Sequence, residues 1–122
     1  RPRRCGWLDS VVLRYSAQIN GLSALSLGHL DVLSGIDPVK ICVAYRAGDT
    51  ELRDLPCDLA NRTDIEPIYE ELPGWTEDVT GVASFADLPA NCRNYVARVQ
   101  ELSGVPVQSV SVGPGREEIL QV

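Results

Sequence analysis

Apolar residues recur at helical spacing near the start of the chain. The positions that share this face are Leu8, Val12, Tyr15, Ile19 and Leu22. Their three- or four-residue spacing is typical of an amphipathic helix. Asp9 is a suitable N-cap and Gly21 is a suitable residue to close the helix. The pattern therefore predicts a first helix that begins after Asp9 and runs to about Ala24.

Several shorter runs of β-branched and other large apolar residues predict extended segments. These runs cover residues 25–32, 39–46, 50–55, 65–72, 105–112 and 119–122. Gly48 and Asp49 separate two of them by a short turn, which indicates a hairpin. Pro106 favours a strand start or an edge position for the 105–112 segment, because proline has no N–H to donate to a neighbour.

A second helical pattern lies late in the chain, between residues 87 and 104. Asp87 is a plausible N-cap, and Gly104 is expected to end the helix. Pro89 suits its first turn. The expected inner face consists of Cys92, Tyr95, Val96, Val99 and Leu102. Helices that alternate with strands predict an α/β fold. We expect a single domain over residues 1–122 with a mixed sheet, two main helices and a β-hairpin.

The charge of the chain restricts the function classes. Eleven basic and seventeen acidic residues give a net charge of −6. Residues 1–40 carry five basic and three acidic residues (5 − 3 = +2), and the remainder carries 6 − 14 = −8. This balance argues against a general nucleic-acid-binding protein, which must neutralise many phosphates. No apolar run reaches the roughly 20 residues of a membrane-spanning helix, so we expect no membrane association.

The cysteines and the missing methionine bear on compartment and processing. Cys5, Cys42, Cys57 and Cys92 lack the close pairing of a zinc site, and His29 is the only histidine. We therefore expect reduced thiols in a cytoplasmic protein and no metal ligand. The sequence contains no methionine and starts at Arg1. A processed, trimmed or excised piece of a longer protein is therefore expected.

Three arginines form the first candidate site. Arg1, Arg3 and Arg4 precede the predicted first helix, whose N-terminus carries a partial positive charge. Guanidinium groups form paired hydrogen bonds with phosphate or carboxylate, so the cluster suits an anionic ligand. A solvated basic terminus is the alternative.

Asp31 is the second candidate, at the end of the predicted 25–32 strand. A carboxylate accepts two parallel hydrogen bonds, which matches the N1–H and exocyclic amine of guanine. Adenine lacks that donor pair, so a site built on this carboxylate discriminates between the two bases. The alternative is that Asp31 only caps the following turn.

The third candidate is the glycine turn Ser111–Glu117, after the last long strand. Ligands of open α/β sheets lie beyond the carboxyl ends of strands, although an ordinary turn has the same composition. The sequence has neither a Walker phosphate loop nor a G-x-G-x-x-G motif. A nucleotide site here therefore needs another means of holding phosphates.

Taken together, the motifs resemble the C-terminal part of the adenylosuccinate synthetases over essentially the whole chain. The most specific strings are RPRRCGWLD at 1–9, LDVLSG at 30–35, EPIYEELPGW at 66–75, GVPV at 104–107 and SVGP at 111–114. The resemblance implies the C-terminal part of a P-loop-NTPase-like fold. It also implies a cytoplasmic, homodimeric, magnesium-dependent ligase that joins IMP and L-aspartate at the expense of GTP in purine biosynthesis.

The resemblance also assigns residues. Arg1 and Arg3 match arginines on the IMP and aspartate side, and Arg3 also reaches toward GTP. The guanine nucleotide is expected to contact His29, Leu30, Asp31, Ser111, Val112 and Gly113. No catalytic residue and no magnesium ligand of the family falls within these 122 residues. The chain departs from the family pattern at His29, where a lysine is usual, and at Gly115, where an acidic residue is usual.

The main hypothesis is a C-terminal fragment of the GTP-dependent ligase that recognises guanine but is inactive alone. The alternative is a stand-alone, non-catalytic nucleotide- or protein-binding module derived from the synthetase, which the histidine at position 29 favours. A third possibility is a proteolytic product without a role of its own.

Overall fold

The computed structural model describes residues 2–122, and Arg1 lies outside the described part. Its helices are α1 (Ser10–Asn20) and α2 (Ala90–Ser103). Its strands are β1 (Leu8–Asp9), β2 (Leu25–Leu27), β3 (Val39–Ala47), β4 (Thr50–Leu52), β5 (Ile65–Leu72), β6 (Val107–Ser111) and β7 (Ile119–Gln121). Short 3-10 turns cover Leu30–Leu33, Leu59–Asn61, Phe85–Asp87 and Arg116–Glu118. The predicted α/β class with two main helices is confirmed.

The strands form two mixed sheets where the sequence predicts one. In the first sheet, β3 pairs in parallel with β1 and antiparallel with both β4 and β5. In the second, β6 lies between β2, which is parallel to it, and β7, which is antiparallel. The division follows from connectivity. Strands β3 to β5 are consecutive and pair with one another, whereas β2 pairs with a strand that follows α2.

Helix α1 begins where the sequence predicts and ends earlier. The Asp9 carboxylate accepts hydrogen bonds from the N–H groups of Val11 (2.9 Å) and Val12 (3.2 Å). Gly21 adopts the left-handed conformation at φ +59° and closes the helix, so it does not reach Ala24. Much of the apolar face noted in the sequence is exposed within the described residues, and Ile19 is 64% accessible.

Helix α2 begins three residues after the predicted cap. The N-cap is Pro89, and Asp87 belongs to a preceding 3-10 turn in which its carboxylate accepts a hydrogen bond from Ser84 Oγ (2.9 Å). Asp87 is thus engaged locally, so this cap prediction is wrong. The inner face is confirmed: Cys92, Tyr95, Val96 and Val99 are buried, and Leu102 is half-buried.

The predicted 25–32 strand is shorter in the structure. Strand β2 ends at Leu27, and the backbone of His29 takes a positive φ of 62°. That conformation does not continue a strand, and the chain turns into the 3-10 segment Leu30–Leu33. The segments predicted over 50–55 and 105–112 are also trimmed, to Thr50–Leu52 and Val107–Ser111.

The main core joins both sheets to the inner face of α2. Val39 and Ile41 of β3, Val99 of α2 and Val110 of β6 are fully buried in one cluster. Burial of this apolar surface drives the packing of the layers. The cysteines are free; Cys42 and Cys92 are buried, and Cys5 and Cys57 are exposed. Across residues 2–122, neither helix has the length and apolar character needed to cross a bilayer.

Candidate functional site

Two parallel strands end side by side at the candidate site. Strands β2 and β6 pair in parallel with a register shift between Leu25 and Ser26, and Leu27 lies opposite Val110. Because parallel strands present their carboxyl ends at one edge, residues 28–31 and 112–115 emerge next to each other. This edge is where ligands bind in open α/β sheets. The structure thus brings together two of the three regions that the sequence singles out.

A direct hydrogen bond joins these two regions across 82 positions of sequence. The backbone N–H of His29 donates to Ser111 Oγ at 2.8 Å. Gly28 lies against the same hydroxyl, since a Cβ added there would be 3.6 Å from Ser111 Oγ. The flanking residues are anchored, because the side chains of Leu30 and Val112 are almost completely buried.

Asp31 lies in the 3-10 turn and carries an unused acceptor. Its Oδ1 atom is buried and has no hydrogen-bond partner within residues 2–122. Its backbone carbonyl accepts the Ser34 N–H at 3.2 Å, so the backbone and not the carboxylate closes this turn. The turn-capping alternative is therefore wrong for the side chain. A buried acceptor without a donor costs roughly 1–3 kcal/mol, which favours a ligand donor at this position.

The turn after Asp31 is held by the Leu-Pro-Gly-Trp segment that follows β5. The Trp75 indole N–H donates to Ser34 Oγ at 3.2 Å, and the Gly35 N–H donates to the Trp75 carbonyl at 2.8 Å. The Gly74 N–H donates to Asp37 Oδ1 at 3.0 Å. We call this set of contacts the Trp75 clamp. Neither the composition nor the spacing of residues predicts the Trp75 clamp. The only signal for it in the sequence is the Leu-Pro-Gly-Trp motif at 72–75.

Gly74 allows the close approach on which the Trp75 clamp depends. A Cβ at this position would lie 2.0 Å from the Ile36 carbonyl oxygen and 2.9 Å from the Asp37 Cα. Both neighbours are backbone atoms that cannot rotate away. Only glycine therefore fits here.

A mainly apolar cavity of about 250 Å³ adjoins His29. Its wall includes Gly6, Trp7, Leu27, Gly28, Leu30 and Tyr95. Burial raises the pKa of Tyr95 to about 12, and burial also raises the pKa of the neighbouring Cys92 thiol to about 11. Both groups are therefore uncharged near neutral pH, and the cavity suits a flat, uncharged part of a ligand.

The arginine region precedes β1 and α1. Arg3 is exposed and lies in a segment without regular structure, and Arg1 lies outside the described residues. The N-terminus of α1 does not add an anion site, because the Asp9 carboxylate already accepts its first N–H groups. The cooperation expected between the arginines and the helix end stays a prediction. Trp7, four residues after Arg3, nevertheless lines the cavity beside His29.

The loop after β6 is closed by Glu118. Its carboxylate accepts the Gly115 N–H at 2.6 Å, and its backbone N–H donates to the Gly115 carbonyl at 3.1 Å. The backbone carbonyl of Glu118 accepts the Val112 N–H at 2.9 Å. Nothing in the sequence pattern singles out Glu118 for this role.

Comparisons with known proteins match almost the whole chain. A protein-family model described as adenylosuccinate synthetase covers residues 1–120. The chain belongs to the adenylosuccinate synthetase family. This membership confirms the family resemblance seen in the sequence.

Individual synthetases agree with this assignment. The chain is 54% identical to the adenylosuccinate synthetase of Moorella thermoacetica and 57% identical to that of Desulforudis audaxviator, in each case over 98% of this chain and 28% of the relative. A solved structure of fully ligated adenylosuccinate synthetase from Plasmodium falciparum matches with a TM-score of 0.91 and 33% identity, over 100% of this chain and 30% of that one. The chain therefore spans less than a third of the length of these synthetases.

Proposed function

We propose that this chain is the C-terminal, guanine-recognising part of an adenylosuccinate synthetase. In that role it contributes to the GTP-dependent joining of IMP and L-aspartate in the cytoplasm, as part of a homodimeric enzyme. The observation that carries the proposal is the buried, unpartnered Oδ1 of Asp31 at the shared edge of β2 and β6. Family membership supports the same activity.

Guanine supplies the donors that Asp31 lacks. Its N1–H and exocyclic amine lie side by side and match the two oxygens of one carboxylate. Each hydrogen bond to a charged group contributes about 1.5–3 kcal/mol. Adenine presents an acceptor at N1, so it would leave the carboxylate unpaired. The arrangement therefore favours guanine nucleotides over adenine nucleotides.

The neighbouring residues complete the proposed guanine site. Ser111 fixes His29 through the backbone, and Leu30 anchors the turn that carries Asp31. We assign Val112 and Gly113, which directly follow β6, to a second set of contacts with the nucleotide. Arg3 is assigned to the aspartate and GTP side, with Arg1 on the IMP side. At His29 the imidazole takes the place of the family lysine beside the base.

Magnesium is implied by the family. Within residues 2–122, no three carboxylate, thiol or imidazole groups come together as a metal-binding cluster. A Mg²⁺ ion is usually held by one or two carboxylates together with waters and substrate phosphates, and we assign no residue of this chain to it. We assign to this chain the recognition of the base, with no step that passes through a metal.

The Asp31→Asn variant tests guanine recognition most sharply. An asparagine amide keeps one acceptor and gains a donor, so it suits xanthine, whose C2 carbonyl replaces the guanine amine. We expect the wild-type chain to bind GDP more tightly than ADP in calorimetric titrations. The variant should lose roughly tenfold or more in GDP affinity and gain affinity for xanthosine diphosphate (XDP).

Asp37→Asn is the matched control, because it makes the same chemical change in the Trp75 clamp. This control should keep the preference of the wild-type chain. Wild-type binding of GDP no tighter than that of ADP, or an unchanged preference in Asp31→Asn, would refute the guanine assignment.

The isolated chain should not catalyse the synthetase reaction. The sequence contains no phosphate-loop motif to hold the GTP phosphates. With IMP, L-aspartate and GTP supplied with Mg²⁺, adenylosuccinate formation should stay at background, as followed by chromatography. Turnover above the rate of a no-protein control would contradict this.

The second candidate function is a stand-alone, non-catalytic binding module. The histidine at position 29, where the family has lysine, favours it. A His29→Lys variant separates the two functions: a large gain in GDP affinity would indicate that this chain has moved away from guanine binding. Little change would support retention of the ancestral site.

A further inference from the structure

We propose that Glu118 is a positioning residue for the guanine-contacting loop, and that Gly113 is required because of Glu118 and not because of the nucleotide. The inference deepens the proposed function and rests on it. It concerns the loop 111–118, in which the carboxylate of Glu118 folds back over residues 113–115.

The carboxylate occupies the space beside Gly113. A Cβ added to Gly113 would lie 2.3 Å from both Cδ and Oε1 of Glu118. The φ of Gly113 is not positive, so its backbone is open to other residues. What excludes a side chain at position 113 is therefore the Glu118 carboxylate, the far end of a flexible side chain.

The same carboxylate fixes the other end of the turn. Glu118 accepts the Gly115 N–H at 2.6 Å, and its backbone is bonded to both Gly115 and Val112. Three hydrogen bonds from one residue thus hold the loop in a single arrangement. A loop ordered before the ligand arrives loses less conformational entropy on binding, which strengthens affinity without any new contact to the ligand.

This arrangement predicts a specific coupling between two positions. An alanine at 113 must push the carboxylate aside, which breaks its bond to Gly115. Gly113→Ala should therefore weaken GDP binding to the same extent as Glu118→Ala. Once Glu118 has been truncated, the alanine at 113 has nothing left to displace.

The test is a double-mutant cycle on the 122-residue chain, with GDP as the ligand in calorimetric titrations. Each single variant, Gly113→Ala and Glu118→Ala, should weaken affinity by about tenfold, the scale of one charge-assisted hydrogen bond. The double variant should be no weaker than either single one. Glu118→Gln keeps an acceptor oxygen and should restore most of the affinity.

Glu117→Gln is the control for charge. Its carboxylate lies beside Gly115, but the Gly115 N–H is bonded to Glu118. It should leave GDP affinity unchanged. Additive losses in the double variant would mean that Gly113 is needed for direct approach of the nucleotide, and would overturn the inference. So would an equal loss from Glu117→Gln.

Amide hydrogen exchange separates this inference from the guanine proposal. Without any nucleotide, Glu118→Ala should speed exchange at the Gly115 N–H, and Glu118→Gln should not. Unchanged exchange in Glu118→Ala would refute the positioning role even if the chain prefers GDP. Faster exchange in a chain that shows no preference for GDP would refute the guanine proposal alone.

Discussion

Two glycine-dependent contacts support the candidate site, and they differ in what the glycine meets. Gly74, in the Trp75 clamp, lies against the backbone of Ile36 and Asp37, with 2.0 Å between its ideal Cβ and the Ile36 oxygen. Gly113, in the loop after β6, lies against the end of the Glu118 side chain at 2.3 Å. The distances are similar, but only the second neighbour can move. The nature of the neighbour therefore decides what a side chain at each position costs.

The two contacts also act on different parts of the site. The Trp75 clamp fixes the turn that carries Asp31, and it ties that turn to β5 and α2 through buried packing. Glu118 fixes only its own loop at the end of β6. Loss of the first contact should therefore affect the stability of the chain, whereas loss of the second should affect ligand affinity.

Gly74→Ala should have the largest effect on stability. The added methyl group meets backbone atoms of Ile36 and Asp37, so the two segments must separate and Trp75 must leave its buried position. We expect the free energy of unfolding to fall by about 3 kcal/mol in urea denaturation.

Gly6→Ala is the control for this change, since nothing lies within 4 Å of a Cβ at that position. It should change the free energy of unfolding by less than about 0.5 kcal/mol. Equal stability of the Gly74 and Gly6 variants would show that the clamp separates without cost.

Trp75→Phe should have an intermediate effect. The variant keeps a ring in the core beside Tyr95 but loses the 3.2 Å hydrogen bond from the indole to Ser34. A loss of about 1.5 kcal/mol in the free energy of unfolding is expected from the missing bond and the smaller ring.

Ser34→Ala removes the same hydrogen bond from the other side. Combined with Trp75→Phe, it should add less than its own single effect, because the two groups share one interaction. Full additivity in the double variant would show that the Trp75–Ser34 bond contributes nothing.

Local chemistry made parts of the fold predictable. Asp9 caps α1 through its own carboxylate, and Gly21 and Gly104 end the helices because each adopts a left-handed conformation that glycine tolerates. These features depend on neighbours in sequence. The division into two sheets was not predictable, since the pairing of β2 with β6 depends on the path of the chain through α2.

The chemistry of the candidate site stays a prediction from the sequence, and its geometry was not predictable. The carboxylate of Asp31 was singled out as a guanine acceptor, and its place after the end of β2 agrees with the expected region. Its 3-10 turn was missed because the turn depends on the positive φ of His29, which is bonded to Ser111. A contact between residues 82 positions apart leaves no periodic signal in the sequence.

Gly113→Ala should destabilise the chain much less than Gly74→Ala. The Glu118 carboxylate can rotate into solvent when a methyl group takes its place, so only one partly exposed hydrogen bond is lost. We expect the free energy of unfolding to fall by less than about 1 kcal/mol in urea denaturation, although GDP affinity falls by about tenfold. A loss as large as that of Gly74→Ala would mean that the carboxylate cannot move. The two glycines would then meet equally rigid neighbours, and the distinction between a structural and a ligand-positioning glycine would fail.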